Sequence, residues 1–254
     1  MSPIGFKEVA IALVLVLLSI AVSRWWRLPV QKDMALGSVR AFVQLVAVGY
    51  ALEYIFALES LWLILLAIMV MILVGAHAAS SRVKYLKNAF AIASVAVIGG
   101  SIVTLGLMLL LRIISLEARY VIPLAGMIIG NSMNASALTI DRIGAGVRDH
   151  RLAIETALSL GKSWREATRT YQREAAIAGM VSMLNFLKTV GIVALPGAMT
   201  GMILAGVDPL DAVLLQIVVG YMLVSAVTIT SVVALELTVR RFFTSYHQLV
   251  LADH

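Results

Sequence analysis

"SLWLILLAIMVMILVGAHAA", Ser60 to Ala79, runs for twenty residues without one Asp, Glu, Lys or Arg. Coiled as an α-helix rising 1.5 Å per residue, such a run covers about 30 Å, the hydrocarbon thickness of a bilayer. Its apolar character is continuous and does not alternate in ten-residue units, which argues against a transmembrane barrel. Six more stretches read the same way, near 4 to 23, 35 to 57, 89 to 111, 119 to 140, 184 to 206 and 212 to 236. The expected fold class is therefore all-α: a polytopic membrane protein of about seven transmembrane helices, forming a single domain over 1–254.

The composition agrees. Of 254 residues, 61% are hydrophobic and 13% charged, and the mean hydropathy is +0.98, far from soluble proteins, where about half are apolar and about a quarter charged. A net charge of +6 would suggest nucleic acid in a soluble domain, but Lys and Arg gather on the cytoplasmic loops of membrane proteins, so no nucleic-acid partner is expected. The absence of Cys excludes thiolate catalysis and any Cys-ligated metal centre. The first span has no basic stretch before it and is followed by "SRWWR", Ser23 to Arg27, where a signal peptide would carry a small-residue cleavage site. It is expected to be retained.

Orientation follows from the basic residues. The connections 24 to 34, 80 to 88, 141 to 183 and 237 to 254 hold fifteen Lys and Arg, whereas the alternate set holds only Lys7, Arg112 and Arg119. This asymmetry places the N-terminus outside and the C-terminus in the cytoplasm. The outer side is mildly acidic, with Glu53, Glu59, Glu117, Asp208 and Asp211 at or beyond helix ends.

Only one connection is long, the cytoplasmic segment 141–183. Ala153, Ala157, Leu160, Trp164, Ala167, Tyr171 and Ala175 recur there at spacings of three and four, one stripe of a single helix running through Gly161. Such an amphipathic helix lies on lipid headgroups or docks into another protein. Within it, "ETALSLGKS", Glu155 to Ser163, ends like a nucleotide-binding P-loop. That loop needs a Gly where Thr156 stands and a strand before it, and neither is present. The spacing of Glu155, Ala157 and Gly161 instead resembles the "EAA---G" motif of ABC transporter permeases, whose coupling helix sits in a groove of a separate ATPase. An early carboxylate and a Gly permitting close approach or a bend suit that task, with Trp164 on the same stripe. The importer motif ends in "I-x-L-P" soon after its Gly; here Ile192 to Pro196 lies some thirty residues on.

Two longer motifs are more specific. "PLAGMIIGNSMNASALTIDRI", Pro123 to Ile143, and "GIVALPGAMTGMILAGVDPLDA", Gly191 to Ala212, closely resemble the FetB-type iron-export permease family, which includes the plant aluminium-tolerance permeases. The resemblance runs through nearly the whole chain. It implies the membrane half of an ABC exporter, a homodimer of two half-transporters, moving iron or another metal out of the cytoplasm across the inner membrane. It further implies no enzymatic activity and no cofactor in this chain, with ATP and Mg held by the partner.

On their own residues these motifs leave alternatives open. Gly126 with Gly130, and Gly197 with Gly201, are small-x-x-x-small pairs that usually mean close helix packing. Pro196 interrupts the sixth span, where a kink or broken helix would need its freed backbone groups satisfied by protein or water. Asn131 and Asn134 share one side of span five, with Ser132, Ser136 and Thr139 on another. They form interhelical hydrogen bonds or, with Met127 and Met133, offer a passing ion weak O and S ligands. Glu53 is a candidate exit-side ligand or simply solvated. Glu236 is spaced to pair with Arg240. One membrane-adjacent His, His77, and no Cys leave no high-affinity metal site. The alternatives are an ATPase-independent carrier or channel, and an ABC permease for an organic cargo such as a nucleotide sugar.

Overall fold

The computed structural model describes residues 5–58, 60–83, 86, 88–244 and 246–250. Glu59, counted above with the outer acidic residues, and Lys84 and Lys87, counted with the basic ones, lie outside them. The described residues form helices joined by turns and short irregular segments, with no strand among them. It forms two compact units, Met1–Glu59 and Ser60–His254.

The first unit is a helix pair, α1 (Phe6–Trp25) and α2 (Gln31–Leu58), in contact with each other and joined by a turn with Arg27 at φ 55°. No residue of α2 is buried. Both helices are apolar on all sides, a surface whose proper solvent is lipid or protein.

The second unit is a bundle of α3 (Leu61–Ser80), α4 (Ala89–Leu110), α5 (Ala118–Asp149), α8 (Arg169–Thr189) and α10 (Pro209–Val239). Two short helices, α6 (Arg151–Ser159) and α7 (Trp164–Ala167), and the short α9 (Gly197–Leu204) complete it. The central helix is α5, which packs against α3, α4, α8 and α10. Its core is layered along the bundle. Leu105, Ile128, Met183 and Leu223 fill one end, Ala76, Ala93, Ile140 and Ala234 the middle, and Ile143, Val147, Ile154 and Phe242 the α6 end. The small residues of the middle layer let the helices approach closely. Gly100 on α4 meets Thr230 of α10, and Gly179 on α8 meets Thr139 of α5 and Ser231 of α10; a Cβ at either glycine would collide with these hydroxyls.

Among the described residues six helices are long and apolar enough to cross a membrane: α1 to α5 and α10 with the turn after it. The seventh expected span, 184 to 206, is not one helix. α8 ends at Thr189, residues 190–196 are irregular, and α9 has eight residues. The physical cause is local. Gly191 sits at φ +83°, its N–H donates to the Ala194 carbonyl at 3.0 Å, and Pro196, which has no N–H to continue a helix, caps α9 from extended backbone.

A second departure concerns the cytoplasmic stripe. The helix expected to run through Gly161 is three helices, and α5 itself continues to Asp149, well past the expected end at 140. At 32 residues α5 is about 48 Å long, which exceeds a bilayer core. The buried side of α6 is Ile154, with Ala157 and Leu158 half-buried, while Ala153 and Leu160 of the expected stripe are exposed. Once the helix stops at Ser159, residues beyond it no longer share its phase.

Candidate functional site

The α6–α7 elbow is built by three local devices. At the end of α6, Gly161 at φ +85° donates its N–H to the Leu158 carbonyl at 3.0 Å, and Lys162 donates to Ala157 at 3.1 Å. These two bonds make a Schellman cap, which satisfies carbonyls that the helix leaves free and needs a left-handed residue at this position. A Cβ on Gly161 would touch nothing within 4 Å, so conformation and not crowding selects glycine there. Next, Ser163 and Glu166 form a reciprocal capping box that starts α7. The Ser163 N–H and hydroxyl both donate to the Glu166 carboxylate, at 2.9 and 2.8 Å, and hold its pKa below the ordinary glutamate value.

The elbow is then anchored to the bundle. Ile154 is fully buried against Ile143, Val147, Ala175, Val239 and Phe242. Half-buried Trp164 joins this cluster and stacks on Phe243 at 5.8 Å, and its backbone N–H donates to His247 Nδ1 at 3.4 Å; His150 stacks on Tyr171 at 4.5 Å. Arg165 reaches Glu236 on α10 at 2.7 Å, and Glu236 also pairs with Arg240, the i,i+4 partner expected from its spacing. The Arg165 pairing joins positions 71 apart in the chain and has no sequence signature.

The structure brings Ala157, Gly161 and Trp164 together in this elbow. Ala157 supplies the capping carbonyl, Gly161 the left-handed turn and Trp164 the anchor. Glu155 lies on the flank of α6, half-buried, and pairs with Arg151 at 2.8 Å. Facing away from the bundle are Leu152, 79% exposed, with Thr156 and Leu160, 76% exposed. Exposed apolar side chains on an amphipathic helix meet lipid headgroups or another protein.

Along α5, Asn131 is half-buried and its Nδ2 donates to the Met127 carbonyl at 2.8 Å, while Asn134 is exposed. With Pro123 and Leu138 they make one uncovered stripe. Ser132, Ser136 and Thr139 fall on the buried side. Met133 packs with the middle core layer, away from Met127, which borders a cavity between α5, α9 and α10. Of the five candidate pathway residues, Asn131 bonds back to Met127, while Met133 lies apart in the core layer. Glu53 is exposed near the end of α2 in the first unit. The glycines singled out in sequence are not at close intrachain approaches: Gly130, Gly197 and Gly201 have no atom within 4 Å of an added Cβ, and Gly126 has only the Met71 sulfur at 4.0 Å. The tightest contacts between helices occur at Gly100 and Gly179, with Gly75 and Gly146 next, and no pairwise glycine motif marks them.

At the end of the bundle opposite α6, two cavities flank the break between α8 and α9. One, of about 470 Å³, is lined by Phe186, Val190, Leu195, Met199, Gln216 and Tyr221. The other, of about 170 Å³, is lined by Met127, Met199, Met202 and Gln216, with Arg119 at its edge. Among the described residues no three His, Cys, Asp or Glu side chains cluster as a metal site.

These features define an all-α polytopic membrane protein with a braced elbow at one end of its bundle and a broken helix at the other. The chain belongs to UPF0014, described as an uncharacterised protein family, whose model matches residues 6–243. It is 37% identical to the UPF0014 membrane protein STAR2 of Oryza sativa subsp. japonica, over 97% of this chain and 86% of that one. It is 36% identical to Protein ALUMINUM SENSITIVE 3 of Arabidopsis thaliana, over 96% and 90% of the two chains. It is 37% identical to the probable iron export permease protein FetB of Escherichia coli, over 97% and 95%. No solved structure matches it.

Proposed function

We propose that this chain is the membrane-spanning permease subunit of an ABC exporter that moves metal ions, iron first among them, out of the cytoplasm. The observation that carries this is the near full-length likeness to a probable iron export permease. The chain is a transport subunit and not an enzyme, and ATP and Mg are held by a separate ATP-binding subunit. The elbow of α6 and α7 faces the cytoplasm and docks into that subunit through Leu152, Thr156 and Leu160, with Glu155 on the rim. Its anchoring supports this role, because a helix clamped by Ile154, Trp164 and the Arg165–Glu236 pair moves α5 and α10 when it is pushed. Two copies form the transporter in the inner membrane, N-termini outside and C-termini in the cytoplasm. The uncovered α5 stripe with Asn131 and Asn134 borders the path between them.

Co-expression with the neighbouring P-loop ATPase tests the proposal. Leu152→Glu with Leu160→Glu is expected to abolish co-purification and metal-dependent ATP hydrolysis while the permease remains folded. An intact complex in that variant, or transport by the permease alone driven by an ion gradient in liposomes, would overturn it. ATPase stimulation by a sugar nucleotide and by no metal would replace metal with an organic cargo.

A further inference from the structure

We infer that the smaller cavity beside the broken helix is a binding site for a soft monovalent cation, cuprous ion by chemistry, held by the thioethers of Met127, Met199 and Met202 with the carboxamide of Gln216. This inference stands apart from the ATPase docking and from iron as cargo.

The four donors border one cavity of about 170 Å³, and they come from three helices. Met199 and Met202 are three residues apart on α9, so they lie on one face of it. Met127 approaches from α5 and Gln216 from α10. All three methionines are half-buried and line this cavity, and Met127 also packs against the core layer at this end.

Gln216 is an independent observation. It is only 8% exposed, and it forms no hydrogen bond with the described residues. It lines both cavities, so a ligand in either would lie against this side chain.

The donor set selects the ion. Thioethers are soft neutral ligands that favour Cu(I), while hard and borderline divalent ions take carboxylate, water or imidazole. No carboxylate lines the cavity. Arg119 at its edge pairs with Glu117 at 3.2 Å, which offsets its charge without supplying a ligand. A divalent ion would enter without a compensating anion; a singly charged soft ion suits this lining.

The test uses the full chain in nanodiscs, titrated anaerobically with Cu(I) against bicinchoninate. We expect one Cu(I) per chain, with ferrous ion unable to displace it. X-ray absorption should show a shell of about three sulfurs, attributable to thioethers because the chain has no Cys. Leucine conserves methionine volume and removes the ligand. The triple variant M127L/M199L/M202L should therefore lose Cu(I) affinity about 100-fold or more, and Q216L about tenfold, the range of a supporting ligand. Melting curves of both variants should match the parent. Parent-like Cu(I) affinity in the triple variant, or a metal shell of nitrogen and oxygen alone in the parent, overturns the site. If the triple variant does not fold, the sulfur count in the parent and the affinity of M202L decide.

Discussion

Alanine at Gly161 separates two reasons why a glycine stands at the tip of the elbow. At φ +85° with no atom within 4 Å of an added Cβ, the penalty in the isolated chain is conformational alone. A left-handed backbone costs an ordinary L-residue about 1–2 kcal/mol, and asparagine less because it tolerates this region. The Schellman bonds from Gly161 and Lys162 back to Leu158 and Ala157 weaken by that amount. A loss of 1–2 kcal/mol raises a local opening constant roughly 5- to 30-fold. Amide hydrogen exchange across 151–163 should show that acceleration in Gly161→Ala, a smaller one in Gly161→Asn, and no change in the α4 core. Partner binding then discriminates. If glycine serves only the turn, Asn restores docking to the ATPase; if the partner's backbone packs against Gly161, Asn and Ala fail alike. Exchange in Gly161→Ala indistinguishable from the parent would show that the Schellman turn does not hold the end of α6.

Other consequences follow from the same geometry. Ile154→Ala empties a fully buried site, should cost about 2–5 kcal/mol, and should expose the 150–163 segment to protease before the bundle melts. Gly179→Val drives side-chain atoms into Thr139, Ser231 and the Ala135 carbonyl; overpacking of about 1–3 kcal/mol or more should lower the melting temperature, and an unchanged melt would refute the close approach. Arg165→Met removes a pair whose side chains are substantially exposed, so it should cost at most about 1 kcal/mol in stability, yet uncouple ATP hydrolysis from transport if the elbow drives α10. Glu166 is lowered by its bonds to Ser163, so its cap is fully present above the ordinary glutamate pKa of about 4.3. It is lost only as pH falls through the lower folded value. Trp164 fluorescence should therefore stay flat from neutral pH down to that range and change below it, and Glu166→Gln should abolish the change.

Much of this was legible in advance for a definite reason. A span such as Ser60 to Ala79 declares itself because the bilayer imposes length and apolarity on each segment separately. The Glu236–Arg240 pair was legible because it is local to one helix. The stripe from Ala153 to Ala175 misled because periodicity assumes one uninterrupted helix. Gly161 and the Ser163–Glu166 box, both visible as cap signals, end that helix and reset its phase. In the same way the apolar run 184 to 206 passes as a span by hydropathy, though Gly191 and Pro196 break it.

An all-α membrane protein, the approximate place of its long helices and the polar segment that holds the elbow can all be read from the residues in order. These are properties of single stretches, set by solvent and local backbone. Helix packing, by contrast, makes Ile154 and not Leu160 the buried anchor, closes Arg165 on Glu236, and puts the tightest crossings at Gly100 and Gly179. It also set Met127, Met199, Met202 and Gln216 around one cavity. Each of these depends on which face of one helix meets another, and in a chain apolar on nearly every side hydropathy carries no record of that choice.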